Sequence, residues 1–168
     1  QERARVEREG VSIRVVEGAQ ATEADLAAMH SFYVGTFAEY GNHPALTPGF
    51  FRHLAEALRG SLVLFIADRD SRPVAGALCL HGGDTLYGRY WGASEHVPAL
   101  HFETCYYQGI EYCLRNGLTR FEPGAQGEHK VARGFLPVLT HSRHHVADAR
   151  FAEALTDWCA QERESVLR

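Results

Sequence analysis

The chain is 168 residues long, 45% hydrophobic and 23% charged, the composition of one folded domain and not of a disordered tail or linker. Its 17 basic and 21 acidic residues give a net charge of −4 with histidine neutral. That excludes a generally basic nucleic-acid coat and leaves room only for a local basic site. The longest apolar run, Leu62 to Ala67, is far short of the roughly 20 residues of a membrane span.

Gln1 to Gly10 is charged throughout and has no signal-peptide character. The first residue is not methionine and the only methionine is Met29, so the chain is expected to be part of a longer protein. Val11 to Val16 reads as an extended start. Thr22, with Asp25 three residues on, has the capping-box pattern. Leu26, Met29, Tyr33, Phe37 and Tyr40 follow at three- and four-residue spacing, predicting a helix with one apolar stripe, and Gly41-Asn42-His43-Pro44 ends it. Thr47-Pro48 predicts a second helix start, with Phe50, Phe51, Leu54 and Leu58 as its buried face and Gly60 as its stop.

Ser61 to Ala67 reads as a strand covered on both faces. Turn chemistry from Asp68 to Pro73 leads into a second strand, Val74 to Leu80, and Gly82-Gly83-Asp84 into a third, Thr85 to Trp91. Simple alternation puts Tyr87, Arg89 and Trp91 on one face of that strand, with Leu86 and Tyr90 on the other. Pro98 opens a long helix to about Asn116, with Phe102, Tyr106, Ile110 and Cys113 on one stripe. Glu103, Tyr107 and Glu111 form another, and Glu111 can pair with Arg115. A short strand, Thr119 to Glu122, precedes a charged, glycine-rich loop from Pro123 to Pro137. Val138 to Val146 alternates as a last strand, and Asp148 can cap a final helix buried through Phe151, Leu155 and Trp158. The succession predicts one α/β domain over residues 1–168, with a mixed, largely antiparallel sheet and helices on both faces.

The loop from Phe121 to Phe135 carries the densest chemistry. Its glycines permit close backbone approach to a ligand. Lys130 and Arg133 can hold phosphate or carboxylate, and Glu122 or His129 can take a proton from an amine. A solvated loop whose charges pair with one another is the competing reading. No G-K-[ST] or G-x-G-x-x-G stands in it. Glu103 near the helix start is explained by the helix dipole more readily than by catalysis. His101 and Cys105 are four apart, but a buried structural cysteine is preferred to a nucleophile. None of the four cysteines forms C-x-x-C, and Cys105 and Cys113 would lie about 12 Å apart along one helix, too far for a disulfide. A reduced, cytoplasmic protein is the expectation. Of His141, His144 and His145, only two can share a side of a strand and no further ligand stands beside them, so no metal is assigned. His144 shares a face with Thr140 and Ser142, a polar floor for a cleft.

Several runs together resemble one family. They are Arg89-Tyr90-Trp91-Gly92, His101 to Tyr107, Phe121 to Lys130, and Arg133-Gly134-Phe135 through Thr140-His141-Ser142. The family is the FemAB-like group of predicted bacterial N-acyltransferases, also labelled peptidoglycan biosynthesis or recognition proteins. The resemblance implies a GNAT-type acyltransferase fold and a chain that is the C-terminal half of a two-domain protein. It further implies transfer of an acyl or aminoacyl group to an amine, on a substrate such as a peptide or glycan cell-wall precursor. Acyl-CoA or aminoacyl-tRNA would be the co-substrate, with no tightly bound cofactor. Glu122 or His129 would be the base; Arg89, Glu103, Tyr106, Gln126, Gly127, Lys130, Arg133 and His144 would contact substrate. The segment Arg89 to Ser94 matches a GNAT pyrophosphate loop only loosely, with serine where glycine or alanine belongs. The alternative is a non-catalytic module binding a peptide or glycan precursor through Tyr90, Trp91, Tyr106 and Tyr107. Without its N-terminal half the chain is expected to expose Tyr87, Trp91 and Tyr107 and to form a concentration-dependent homodimer.

Overall fold

The charged opening of the chain is helical, because one apolar side chain anchors it. In α1 (Glu2–Arg8), Val6 is buried in a cluster with Val11, Ala67 and Leu100. The computed structural model describes residues 1–124 and 127–166. After β1 (Val11–Glu17) comes α2 (Glu23–Glu39), started by the expected capping box. The Thr22 hydroxyl accepts from Asp25 N–H at 3.2 Å and the Asp25 carboxylate accepts from Thr22 N–H at 3.0 Å. Thr47 caps α3 (Pro48–Ala57). The buried faces are shorter than their spacing suggests. Tyr40, Phe50 and Leu58 are exposed, because they lie at the ends of the two helices, whereas Phe32 and Ala55 are buried nearer the middle.

Strands β2 (Leu62–Arg69), β3 (Arg72–Gly82) and β4 (Thr85–Ala93) form the expected meander. With β1 on one edge and β5 (Arg120–Glu122) on the other they make one sheet in the order β1-β2-β3-β4-β5. Every pairing is antiparallel except β4–β5, which is parallel. Both faces of β2 are covered, as its unbroken apolar run requires. Leu62, Leu64 and Ile66 pack with Met29, Phe32, Tyr33 and Phe51 of α2 and α3. Val63 and Phe65 pack on the opposite face with Tyr112 and Cys113. At Gly92 the sheet and α2 touch backbone to backbone, since a Cβ there would run into the Phe32 carbonyl.

Simple alternation fails in β4. Leu78 pairs with Tyr90 but Cys79 pairs with Gly88, so Arg89 is an extra residue, a β-bulge. The bulge turns Trp91 to the side of Leu86, within the cluster of Phe65, Cys79 and Tyr112. Tyr90 goes to the other side, edge-on to Tyr33 at 4.9 Å.

The long helix also departs from regular spacing. It runs as α4 (Leu100–Phe102), a π-helical turn (Glu103–Tyr107) and α5 (Gln108–Asn116). The extra residue of a π-turn rotates every downstream side chain about the helix axis, compared with an unbroken α-helix. The buried positions are Leu100, Glu103, Thr104, Tyr106, Gly109, Tyr112 and Cys113, while Phe102 and Ile110 of the expected stripe are only half-buried. Gly117, at φ +67°, ends the helix as expected.

The chain divides into two compact units, Gln1–Gly127 and Glu128–Arg168. The second holds a 3-10 segment (Glu128–Arg133), irregular chain, and α6 (Ala149–Val166), with Asp148 accepting from Phe151 N–H at 3.0 Å. Two expectations are corrected here. Val138 to Val146 is not a strand, because alternation specifies a strand only where a neighbour supplies the ladder, and none pairs with it among the described residues. The face Phe151, Leu155 and Trp158 is not buried: Phe151 and Trp158 are more than half exposed and no described residue of α6 is fully buried.

Candidate active site

The parallel ladder between β4 and β5 is only three pairs long: Thr85 with Arg120, Leu86 with Phe121, and Tyr87 with Glu122. It stops where Pro123 follows, because proline has no N–H to continue it. Gly88 sits at the fork, where a Cβ would lie 3.4 Å from Pro123 Cα. Beyond it β4 runs on to Ala93 without β5. The opening is a cleft of about 120 Å³. Its base is Ala77, Leu78 and Cys79 of β3 with Gly88 to Trp91 of β4, and Pro123-Gly124 and His101, Cys105 and Tyr106 close it.

One wall is aromatic and tightly built. His101 stands edge-on to Trp91 at 5.2 Å and to Tyr106 at 5.3 Å, and Phe102 stacks on Tyr106 at 6.1 Å. The π-turn brings both Cys105 and Tyr106 to the cleft. The mouth holds Arg89, whose guanidinium lies 5.2 Å from the centre of the Tyr87 ring. Arg89 is exposed, donates to the neighbouring Gly88 carbonyl at 3.3 Å, and pairs with no carboxylate among the described residues. Burial pushes the Cys79 thiol up to about 12, with Cys113 adding to the shift and Arg89 opposing it. A thiol so placed stays protonated and is no nucleophile.

The expected site residues fall into three groups. Arg89 and Tyr106 line the cleft. Glu122 closes the ladder beside it, exposed and paired across from Tyr87. Glu103 is buried, with its carboxylate held by Arg3 and Gln108. Gly127, at φ +112°, ends the first unit, and Gln126 lies outside the described residues. His129, Lys130, Arg133 and His144 belong to the second unit. There Arg133 donates to the His129 carbonyl at 2.6 Å, and His144 lies 3.1 Å from the Ser142 hydroxyl. Sequence reasoning assigned no ligand contact to Leu78, Cys79, Gly88 or Pro123. The Gly88 and Pro123 signals were present, a glycine inside a strand and a proline just after one.

A larger hollow, about 490 Å³, lies among Ser12, Arg14, Asp25, Asp68 and Asp70. Arg14 bridges Asp25 at 2.6 Å and Asp68 at 2.7 Å, so its main charges satisfy each other. It is a structural ion-pair cluster.

The chain belongs to the FemAB_like family, described as peptidoglycan biosynthesis/recognition, which matches residues 1–168. No curated protein matches it. Among solved structures it is similar to the C-terminal domain of a putative lysylphosphatidylglycerol synthetase from Agrobacterium fabrum, with TM-score 0.57, 16% identity, and 72% of this chain covered. This chain spans only 38% of that one. It is also similar to an acetyltransferase of Trypanosoma brucei (TM-score 0.56, 15% identity, 81% of this chain and 99% of that one). An aminoglycoside acetyltransferase from an uncultured soil metagenomic sample, in complex with sisomicin, gives TM-score 0.53, 12% identity, 84% of this chain and 97% of that one. The fold is therefore that of the GNAT acyltransferases. Among the described residues no helix is long and apolar enough to cross a membrane.

Proposed function

We propose that this chain is the acyl-binding half of an N-acyltransferase that modifies an amine on a cell-wall or lipid precursor. The observation that carries the reading is the wedge between β4 and β5, with a bulge at its base and an aromatic wall. An acyl group enters the wedge, and N–H groups around the bulge, no longer flanked by β5, stabilise the oxyanion. Glu122, the last residue of β5 and the sequence neighbour of the cleft-lining Pro123, takes the proton as the amine nitrogen bonds to the carbonyl carbon. The bond from that carbon to the carrier's sulfur or oxygen breaks, and the leaving atom is protonated. Arg89 attracts the anionic part of donor or acceptor. Gly127, at the end of the first unit, is proposed to let the backbone approach a ligand, and within the second unit, taken by itself, His129, Lys130, Arg133 and His144 are proposed to hold an anionic group of substrate.

An acyl-CoA suits this chain better than aminoacyl-tRNA, because the net charge is −4 and no lysine is among the described residues lining the cleft. The loop from Ser94 to Ala99 contains no lysine or arginine and its Glu95 is paired with Arg69, so Arg89 is the cation at hand for a diphosphate. The whole protein is proposed to complete the acceptor site with a second half.

The test uses acetyl-CoA as donor and a diamino-acid peptide as acceptor. Glu122→Gln should keep the fold and lower transfer by about 10²–10⁴-fold, the range for a general base. Unchanged turnover in that variant would remove Glu122 from the mechanism. One observation favours the binding-module reading: no aspartate or glutamate is among the described residues lining the cleft. Saturable peptide or glycan binding with no turnover in the full-length protein would select it.

A further inference from the structure

The aromatic wall rests on an interaction outside the cleft. Glu103, the first residue of the π-turn, is a carboxylate only 5% exposed. Its two oxygens accept from Arg3 Nε at 3.2 and 3.0 Å, and Oε1 also accepts from Gln108 Nε2 at 2.7 Å. The same guanidinium bonds Glu111, which is further held by Arg115 at 2.6 Å. At the other end of the turn, the Tyr107 hydroxyl donates to Glu2 at 2.6 Å. Helix α1 thus grips both ends of the π-turn, Glu103 and Tyr107. The two residues that the turn delivers to the cleft, Cys105 and Tyr106, lie between them.

A π-turn sits inside an α-helix only where local contacts favour it, since the regular helix satisfies the backbone better. A buried carboxylate deprived of its cation is strongly unfavourable and is driven toward water or toward taking up a proton. With α5 fixed by Tyr112 and Cys113 in the core, the motion open to Glu103 is rewinding of the turn. Rewinding rotates Cys105 and Tyr106 along the helix.

We infer that Arg3 is a positioning residue for the cleft: its ion pair with Glu103 holds the Glu103–Tyr107 turn in the form that places Cys105 and Tyr106 in the wall. The functional weight of this rests on the cleft being the acyl site; the geometric coupling does not. The role is neither catalytic nor one of overall stability, so its readout must be local.

The experiment follows alkylation of Cys105 by iodoacetamide in a Cys159→Ser background, where Cys79 and Cys113 are buried. Trp91 emission is followed in parallel with Trp158→Phe, which leaves Trp91 as the single tryptophan. Arg3→Met and Glu103→Gln should each change the Cys105 rate on the order of tenfold, the population shift expected when a charge-assisted hydrogen bond is lost. Each should also move the Trp91 emission maximum, and the double variant should add nothing to either. If Arg3→Met does not melt cooperatively, Glu103→Gln, which keeps the side chain's size, decides the matter alone. Unchanged Cys105 rate and Trp91 emission in the folded variant would overturn the inference, even with a lower melting temperature. Acetyl-CoA binding is measured on the same proteins. A cleft that responds to Arg3 but never binds acetyl-CoA would remove the acyl-CoA reading and leave the coupling standing.

Discussion

Leu86 and Trp91 lie on the same side of the sheet, although an odd number of steps separates them along β4. Regular alternation would place them on opposite sides. The extra residue between them, Arg89, reverses the sense of the strand at the point where β5 leaves it. One inserted residue thereby supplies the charged side chain at the mouth and the indole in the wall.

Arg89 itself should be dispensable for folding. It is exposed and its hydrogen bond is local, so Arg89→Ala should change stability by no more than about 0.5 kcal/mol. The same variant should weaken binding of acetyl-CoA and make that binding less sensitive to salt. Urea titration and calorimetry read the two effects. A large loss of stability would mean that the side chain is needed to hold the bulge.

Two glycines should respond in opposite directions to alanine. At Gly92 the new methyl group meets the Phe32 carbonyl and the Thr36 hydroxyl, so Gly92→Ala should cost about 1–3 kcal/mol through forced separation of α2 from β4. Gly35 lies on the exposed side of α2 with nothing within 4 Å of a Cβ. Gly35→Ala should therefore stabilise by about 0.5–1 kcal/mol. Denaturation midpoints of the pair give a direct comparison.

Acid should loosen the start of α2. Burial works to raise the Asp25 carboxyl, but hydrogen bonds from Thr22 and Arg14 outweigh it and hold the group below its ordinary value. An acid whose folded pKa is depressed contributes stability that is present above its unfolded value, about 3.9, and is lost as pH falls through the folded value. Asp25→Asn, which removes the charge paired with Arg14 at 2.6 Å, should lower stability by about 1–2 kcal/mol at pH 7, a charge-assisted hydrogen bond discounted for the part-exposed guanidinium. It should also flatten the dependence of stability on pH below about 4. A parallel pair of curves for wild type and variant would exclude Asp25 as the source.

Thiol reactivity should follow burial. Cys159 is exposed and should be alkylated first, while Cys79 should react only on unfolding, its thiol being held up to about 12 by burial. The sign for stability comes from proton release. Above about pH 8.5 the unfolded thiol ionises and the folded one does not, so stability falls as pH rises. Cys79→Ala should remove part of that alkaline slope. Mass spectrometry of partially labelled protein establishes the order.

The capping residues Thr22, Thr47 and Asp148 and the meander from β2 to β4 were legible in the sequence, because each arises from contacts between near neighbours in the chain, and the burial of β2 on both faces was legible from its unbroken apolar run. The bulge and the π-turn were not. Each adds a single residue to a regular period, and nothing in the local pattern around Arg89 or Glu103 announces it. The same holds for Arg3, which reaches Glu103 from the other end of the chain. The charged loop drew attention to Glu122 through its composition, whereas the cleft is lined mostly by apolar and aromatic residues that also read as ordinary core. In the second unit Val138 to Val146 alternates, yet among the described residues no strand pairs with it, so alternation alone misled.

The parallel pairing of β4 with β5 has a kinetic consequence. Neighbouring strands of the meander meet across tight turns, whereas Thr85 reaches Arg120 only after the chain has passed through α4, the π-turn and α5. Closing that long loop costs entropy that short hairpins avoid, so the cleft should assemble late, on a platform already formed. Substitutions at Pro123 or Glu122 should then accelerate unfolding while leaving the folding rate nearly untouched. Such an ordering lets the lip of the cleft vary between relatives without slowing the search for the fold.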